Sequence, residues 1–419
     1  MLTAVKGMND LLPPESAKWA HVERRARDLF ERHGYREIRT PMVERTALFV
    51  RSVGEVTDIV EKQMYTFDDR DETSITLRPE ATASVVRAYL EHSVHKKEPV
   101  TRWYYMGPMF RRERMQRGRY RQFNQIGVEA LGVAEPTIDA EQVAMLHGLF
   151  TDLGVERVDA LVNNLGGPAD RPAYRAALVA YFEPYRAELC EDCQRRLDKN
   201  PLRILDCKVP RDKEIAAGAP ATIDYLGEAS RMHFDGFQAA LAAFGVPFRV
   251  EPRLVRGFDY YTGTLYELQS SAGDLGAQNT LCGGGRYDGL VEELGGPPTP
   301  AVGFAMGVER IILTLPGDAD SFDPRTDVFL AALGDAARLH CLKLAQALRR
   351  AGWRADFDHR GGSMKAQLKR ADRVRARAAV IVGDDELAAR TVVLKDMSAG
   401  AQSVVPEAEL AAALHKLLA

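Results

Sequence analysis

The stretch from residue 102 to residue 131 constrains the fold more than any other part of the sequence. Two runs, 102–111 and 121–131, have the length and the aromatic and β-branched content of strands, and a short polar loop joins them, so an antiparallel pair is expected. Six arginines and one glutamate fall within the eleven residues 111–121. That density of guanidinium groups fits a solvated charged turn or a bound polyanion. Guanidinium stays charged and matches phosphate oxygens in pairs, so ATP or an RNA backbone answers their mutual repulsion. Strand alternation puts Phe123, Gln125, Gly127 and Glu129 on one side and Asn124, Ile126, Val128 and Ala130 on the other. The second face reads as core apart from Asn124. The first offers a ring, an amide, a gap and a carboxylate, which suits a ligand better than a core.

Around this pair the chain reads as more than one domain, since 419 residues exceed what one ordinary core holds. A helix is expected over 16–33, with Ser16 as its cap and Trp19, Val22, Ala26, Leu29 and Phe30 at helical spacing before Gly34. Short strands follow at 36–43, 64–68 and 74–78, then helices at 81–92 and 139–153 and a strand at 158–163. Residues 172–245 read as a mostly helical insertion. The 248–269 and 278–287 stretches and a strand at 302–306, leading into a helix at 308–315, read as the remainder of the first sheet. A Pro/Gly-rich polar stretch that begins at Pro316 and Gly317 and includes Pro324 marks a domain boundary near 317–326. Beyond it, strands at 327–333, 353–358, 378–383 and 391–396 alternate with helices at 335–351, 364–377 and 406–418, a small α/β unit. There is no internal repeat or low-complexity tract.

Four further segments carry chemistry. Residues 76–82 (TLRPEAT) set Glu80 and Thr82 at the start of a helix, a pattern shared by helix caps and by ligand sites. Residues 255–263 (VRGFDYYTG) combine Arg256 with a tyrosine pair, which alone fits either a packed turn or a pocket. Residues 282–289 (CGGGRYDG) form a glycine run that lacks the Lys-Ser/Thr ending of a phosphate loop but permits close backbone approach to a ligand. Residues 303–310 (GFAMGVER) place small residues at alternating strand positions and Arg310 in the first turn of a helix, where a bound anion offsets the unfavourable dipole.

These segments, in this order, resemble the histidyl-tRNA synthetases of bacterial type, a family of class II aminoacyl-tRNA synthetases. Residues 110–129 resemble motif 2, residues 303–310 motif 3, Pro41 within 40–44 (TPMVE) motif 1, and residues 255–263 and 282–289 the two histidyl signatures. The resemblance implies an α+β catalytic domain with an antiparallel sheet of six or more strands, over 1–171 and 246–318. It further implies a helical insertion over 172–245 and a C-terminal α/β anticodon-binding domain over 327–419.

The implied activity is ATP-dependent conversion of L-histidine to histidyl-adenylate with Mg²⁺, then transfer to the 3′ end of histidine tRNA, by a homodimer built on motif 1. By resemblance, Arg111 and Arg256 act on the α-phosphate, Glu113 and Phe123 hold the adenine, and Arg310 lies against adenine and γ-phosphate. Glu80 and Thr82 bind the ammonium of histidine; Gln125, Glu129, Arg256, Tyr260 and Tyr261 complete its pocket; Arg114 and Gln116 face the tRNA acceptor end. Arg286 organises the site rather than reacting. Two departures from the family are Asn124, where many relatives have histidine, and Ala81, where glycine is more common. The alternative from another class is the noncatalytic, histidine-binding regulatory subunit of ATP phosphoribosyltransferase, whose relatives usually lack the anticodon-binding domain and have degraded signatures.

Charge and cysteine content bound the rest. A net charge of -3 excludes coating of nucleic acid by bulk electrostatics, so local patches matter. One such patch is Lys365, Lys369, Arg370, Arg373, Arg375 and Arg377, a solvated face or an RNA contact, and the family resemblance favours RNA. The start of the chain lacks the apolar core of a secretory signal and no run reaches membrane-spanning length, so no membrane partner and a cytoplasmic enzyme are expected. Five cysteines form an odd, sparse set expected as free thiols. Cys190, Cys193 and Cys207 offer three ligands where structural zinc takes four, and no fourth is evident, so no metal is assigned.

Overall fold

The computed structural model describes residues 2–54, 57–272, 279–323 and 325–418. Pro324 of the expected linker, Gln278 of the expected 278–287 strand, and the chain ends Met1 and Ala419 lie outside them. The chain divides into two compact units between Ser321 and Phe322.

The first unit is organised on an eight-stranded sheet. Its order is Arg36–Glu37, Thr101–Phe110, Gln122–Leu131, Ala301–Gly307, Thr280–Arg286, Thr264–Ser270, Val158–Asn164 and Phe248–Val250. Six strands in the middle are antiparallel, and the two short outer strands pair in parallel with their neighbours. The arginine-rich segment joins two of the central strands, which pair continuously from Thr101 opposite Leu131 to Phe110 opposite Gln122. One face packs on the helices Glu15–Arg32 and Pro136–Asp152 through Phe30, Val128, Tyr266, Phe304 and Leu146, all buried. Alternation leaves the other face to Gln125, Gly127, Glu129, Gly303 and Ala305.

Three expectations need correction here. The first helix begins at Glu15, with Pro14 preceding it, so Ser16 lies inside the first turn and caps nothing. The 36–43 run splits: Arg36–Glu37 joins the large sheet, while Val43–Arg45 joins a separate three-stranded sheet with Ser74–Leu77 and Tyr65–Asp68. The aromatic stretch 248–269 is not continuous strand. Residues 251–263 run irregularly between Phe248–Val250 and Thr264–Ser270, because the rings of Phe258, Tyr260 and Tyr261 pack on one another instead of alternating across a sheet.

From Arg171 to Ala243 the chain is helical, with helices Arg171–Phe182, Glu191–Lys199, Pro210–Ala216 and Glu228–Ala243 linked by short 3₁₀ turns. The first three enclose a small core of their own, including Tyr174, Leu178, Phe182, Leu197 and Ile204. The fourth lies against Pro136–Asp152.

The second unit is a five-stranded sheet ordered Ala355–Phe357, Val328–Ala332, Ala378–Val382, Thr391–Asp396, Gln402–Pro406. The first three strands are parallel and the last two antiparallel. Helices Asp335–Arg350 and Leu410–Leu418 bury Cys341, Ala345 and Leu414 against one core. The Gln402–Pro406 strand is a mostly exposed edge without the buried alternation that would reveal it in sequence, and the last helix accordingly starts at Leu410 and not at 406. A short helix, Asp384–Ala389, also goes unanticipated, and the basic helix ends at Arg373 and not at 377.

The glycine run 283–285 lies at the centre of the large sheet. A Cβ at Gly284 would stand 2.5 Å from the Gly303 carbonyl oxygen and 2.7 Å from Phe304 Cβ on the packed face. Gly284→Ala is expected to lower stability by about 1–3 kcal/mol, as other overpacked cores do. Urea unfolding followed by circular dichroism checks this, and a midpoint equal to that of the parent contradicts it.

Candidate active site

Above the large sheet lies one cavity of about 590 Å³. Its floor is made of small residues for a reason visible in the register. Gly303 pairs with Glu129, Ala305 with Gly127 and Gly283, and Gly307 with Gln125, so these positions share one face across three strands. A side chain at Gly303 would collide with the Glu129 carboxylate, and one at Gly283 with the Arg256 guanidinium. The floor is thus open where a ligand needs room and closed to any larger residue.

The register also orders the charges along the cavity. Glu129 and Gln125 are four residues apart on one strand, about 13 Å at roughly 3.3 Å per residue. At the Glu129 end, Glu80 accepts from the backbone N–H groups of Thr82 (2.6 Å) and Ala83 (2.9 Å), which fixes it at the start of the helix Thr82–Glu91. Thr82 Oγ1 donates to Glu129 Oε1 at 2.7 Å, and the Tyr287 hydroxyl donates to Glu129 Oε2. Burial pushes the Glu129 carboxyl from 4.5 up to about 8 and raises that of Glu80.

Beyond Gln125, where the strand runs back to Phe123 and the arginine-rich loop, arginines take the place of carboxyl groups. Arg111 sits 5.1 Å over the Phe123 ring and 5.7 Å from that of Phe258, its Nε donating to the Pro79 carbonyl at 2.9 Å. Arg119 donates to Glu113 at 3.2 Å. Arg310 Nη1 donates to the Thr280 carbonyl at 2.7 Å; burial, then Arg119 and Arg256, push its pKa down to about 10. Burial likewise lowers that of Arg111.

Arg256 stands between the two ends, over Gly283 in the middle of the floor. Its Nη1 donates to Glu267 Oε2 at 2.5 Å, and Glu267 is directly opposite Gly283 on the next strand. Burial works against its charge, but Glu267 outweighs that and holds its pKa above the usual value. Its own carbonyl accepts from Arg203 Nη1 at 2.9 Å. Tyr260 and Tyr261, with ring centroids 4.8 Å apart, close the wall beside it.

The structure therefore brings Glu80, Thr82, Arg111, Glu113, Phe123, Gln125, Arg256, Tyr260, Tyr261 and Arg310 to one cavity wall. Gln125 Oε1 is buried there without a hydrogen-bond partner among the described residues. Glu129 stands one layer behind, 1 % exposed, and reaches the cavity through Thr82 and Tyr287. Arg114 and Gln116 are exposed on the loop outside the cavity. Arg286 is also outside it: its Nε donates to Asp139 at 2.9 Å and its other nitrogens to the Val133 and Glu135 carbonyls, tying its strand to the helix Pro136–Asp152. Asn124 faces away and holds Glu309 through its backbone N–H at 2.7 Å.

Sequence reasoning missed three residues. Tyr287 lies in the quoted glycine run but received no role. Glu267 was detectable as a carboxylate on the Thr264–Ser270 strand, with Gln269 two residues on. Arg203 had no local signal, because it acts across 53 residues.

The family model described as histidyl-tRNA synthetase matches residues 7–311, and that described as anticodon binding domain matches residues 327–417. The histidine-tRNA ligase of Trichlorobacter lovleyi is 51 % identical over 404 residues, 96 % of each chain. That of Anaeromyxobacter dehalogenans is 51 % identical over 413 residues, 98 % of this chain and 99 % of the relative. Among solved structures, apo histidyl-tRNA synthetase of S. aureus superposes with a TM-score of 0.82 at 38 % identity, covering 98 % of both chains.

The buried carboxyl yields a pH prediction. Between pH 4.5 and about 8 folded Glu129 keeps a proton that the unfolded chain releases, so raising pH through this window destabilises the fold. Glu129→Gln cannot ionise and escapes that loss. The thermal midpoint of the variant relative to the parent should rise as pH goes from 6 to about 8.5. A difference that stays constant over this range contradicts the assignment.

Proposed function

The chain belongs to the histidyl-tRNA synthetase family, and from that premise we propose how its cavity performs the family's reaction. The enzyme activates L-histidine with ATP to histidyl-adenylate and transfers the histidyl group to the 3′ end of histidine tRNA. The observation that carries the assignment of roles is the order of ionisable groups along the glycine floor: the carboxyl groups of Glu80 and Glu129 at one end, Arg111 and Arg310 at the other, Arg256 between. An amino acid and a nucleotide laid end to end meet that order, ammonium towards Glu80 and Thr82, phosphates towards the arginines.

In this arrangement Arg256 faces the point where the histidine carboxylate meets the α-phosphate. A carboxylate oxygen attacks the α-phosphorus in line, and the bond to the bridging oxygen breaks, with its electron pair leaving on pyrophosphate. Arg111 and Arg256 stabilise the charge that develops on the equatorial oxygens, already oriented and partly shielded from water. Phe123 and Arg310 sandwich the adenine, and Glu113 accepts from its amino group. Gln125, Tyr260, Tyr261 and the Thr82–Glu129–Tyr287 chain bound the imidazole side; a buried amide oxygen in want of a donor discriminates a ring N–H from an apolar isostere. In the second step the terminal ribose hydroxyl attacks the histidyl carbonyl and AMP leaves.

Mg²⁺ prefers oxygen donors and would supply neutralisation of phosphate charge; Glu267, on the cavity wall beside Arg256, would be the carboxylate to hold it. We also propose that residues 172–245 are an insertion in the catalytic core and that Arg114 and Gln116, exposed on their loop, meet the acceptor end. In the second unit, Lys365, Lys369 and Arg373 are exposed at four-residue spacing on the helix Met364–Arg373 and form the RNA-facing stripe. Arg370, Arg375 and Arg377 instead pair with Asp358, Asp323 and Asp327. Exposed Val43 and Phe67 on the three-stranded sheet, with Met42 just before it, fit a homodimer interface. Among the described residues no helix is long and apolar enough to cross a membrane; the proposed compartment is the cytoplasm, where its tRNA is. The regulatory-subunit reading gives way to relatives that are ligases at about half identity over nearly the whole chain.

Arg256→Ala is expected to slow histidine-dependent ATP–pyrophosphate exchange by about 10²- to 10³-fold, the usual cost of removing a donor that stabilises developing charge. Exchange within a few-fold of the parent removes Arg256 from this role.

A further inference from the structure

Three cysteines that share no role in the reaction converge in the helical segment. Cys190 precedes the helix Glu191–Lys199, Cys193 lies in its first turn, Cys207 follows the 3₁₀ turn Pro201–Asp206, and Asp212 sits in the helix Pro210–Ala216. Their three sulfurs and one carboxylate oxygen all lie within 4.8 Å of one another. Cys193, Cys207 and Asp212 are buried, Asp212 completely, among Leu189, Leu197, Ile204 and Ile215.

The distances distinguish a metal site from a disulfide. Cys190 Sγ is 3.9 Å from Cys207 Sγ, far beyond the roughly 2.0 Å of a disulfide bond. Two sulfurs about 2.3 Å from a tetrahedral zinc stand about 3.8 Å apart. Cys207 Sγ is 3.2 Å from Asp212 Oδ2, near the roughly 3.5 Å expected for sulfur and oxygen on the same ion. Asp212 Oδ1 accepts from the Cys190 backbone N–H at 3.1 Å, the outer hydrogen bond that fixes a ligating carboxylate. Asp212 supplies the fourth donor atom, which sequence spacing did not reveal. Burying a carboxylate among apolar side chains is costly unless its charge is compensated, and a cation at this point compensates it.

We propose that Cys190, Cys193, Cys207 and Asp212 bind one structural Zn²⁺. On binding, the three thiols release their protons to solvent and each thiolate donates a pair to the ion. The resulting negative charge is eased by Arg196, which interacts with Cys193 and with Asp58. The ion pins both ends of residues 193–207. From within that span, Asn200 donates to Asp259 at 2.9 Å and Arg203 to the Arg256 carbonyl at 2.9 Å. The metal therefore holds the brace of the peptide that carries Arg256, Tyr260 and Tyr261.

The test uses the full-length chain, stripped of metal under reducing conditions and titrated with Zn²⁺ and, separately, Co²⁺. The expected result is saturation near one ion per chain. The cobalt form should show thiolate-to-metal charge transfer and the intense visible bands of four-coordinate cobalt. Cys207→Ser and Asp212→Ala should each weaken binding by at least about 100-fold, since loss of a mere outer-shell partner already costs 10- to 100-fold. No saturable uptake by the parent chain, a six-coordinate cobalt spectrum without the thiolate band, or undiminished affinity in Cys207→Ser overturns the proposal. The readouts are metal content and spectrum, so they stand apart from the aminoacylation reading.

Discussion

A guanidinium laid on bare backbone is the contact on which the site is built. Arg256 occupies the space that any side chain at position 283 would fill, and Glu267, directly across the ladder from Gly283, holds it there. Glycine at this point is a steric requirement, not a source of flexibility, since the strand Thr280–Arg286 is regular there. The neighbouring Gly303 answers the same need for the Glu129 carboxylate. The sheet thus carries its charges on small residues and leaves a trough between them.

Those two groups are accommodated by different means. Arg256 has a partner in Glu267, whereas Glu129 has only neutral hydroxyl donors, so burial keeps it protonated near neutrality. A buried ion without a counterion is costly, and the protein avoids it by holding the proton. Burial lowers the pKa of Arg111 and, with Arg119 and Arg256 beside it, that of Arg310. The proposed complement to this arrangement of groups is an amino acid joined to a nucleotide.

Much of this was legible in the sequence where regular periodicity operates. The alternation of residues 122–131 separates Ile126, Val128 and Ala130, buried on the packed face, from Phe123 and Gln125 on the cavity. The small residues of 303–307 were equally plain. What escaped depends on tertiary pairing: Glu267 gains meaning only from Arg256, Arg203 only from a carbonyl 53 residues away, and Asp212 only from three thiols that helices bring to it. The irregular course of 251–263 was hidden because aromatic content mimics a strand. The edge strand Gln402–Pro406 was hidden because exposure erases the pattern.

The central claim, that this trough selects histidine and activates it on ATP, is tested most directly by ATP–pyrophosphate exchange with the purified chain and Mg²⁺. The twenty amino acids are offered singly and without tRNA. The account predicts exchange with histidine and with no other amino acid. Exchange supported by a different amino acid, or none with histidine although calorimetry shows that it binds, contradicts it.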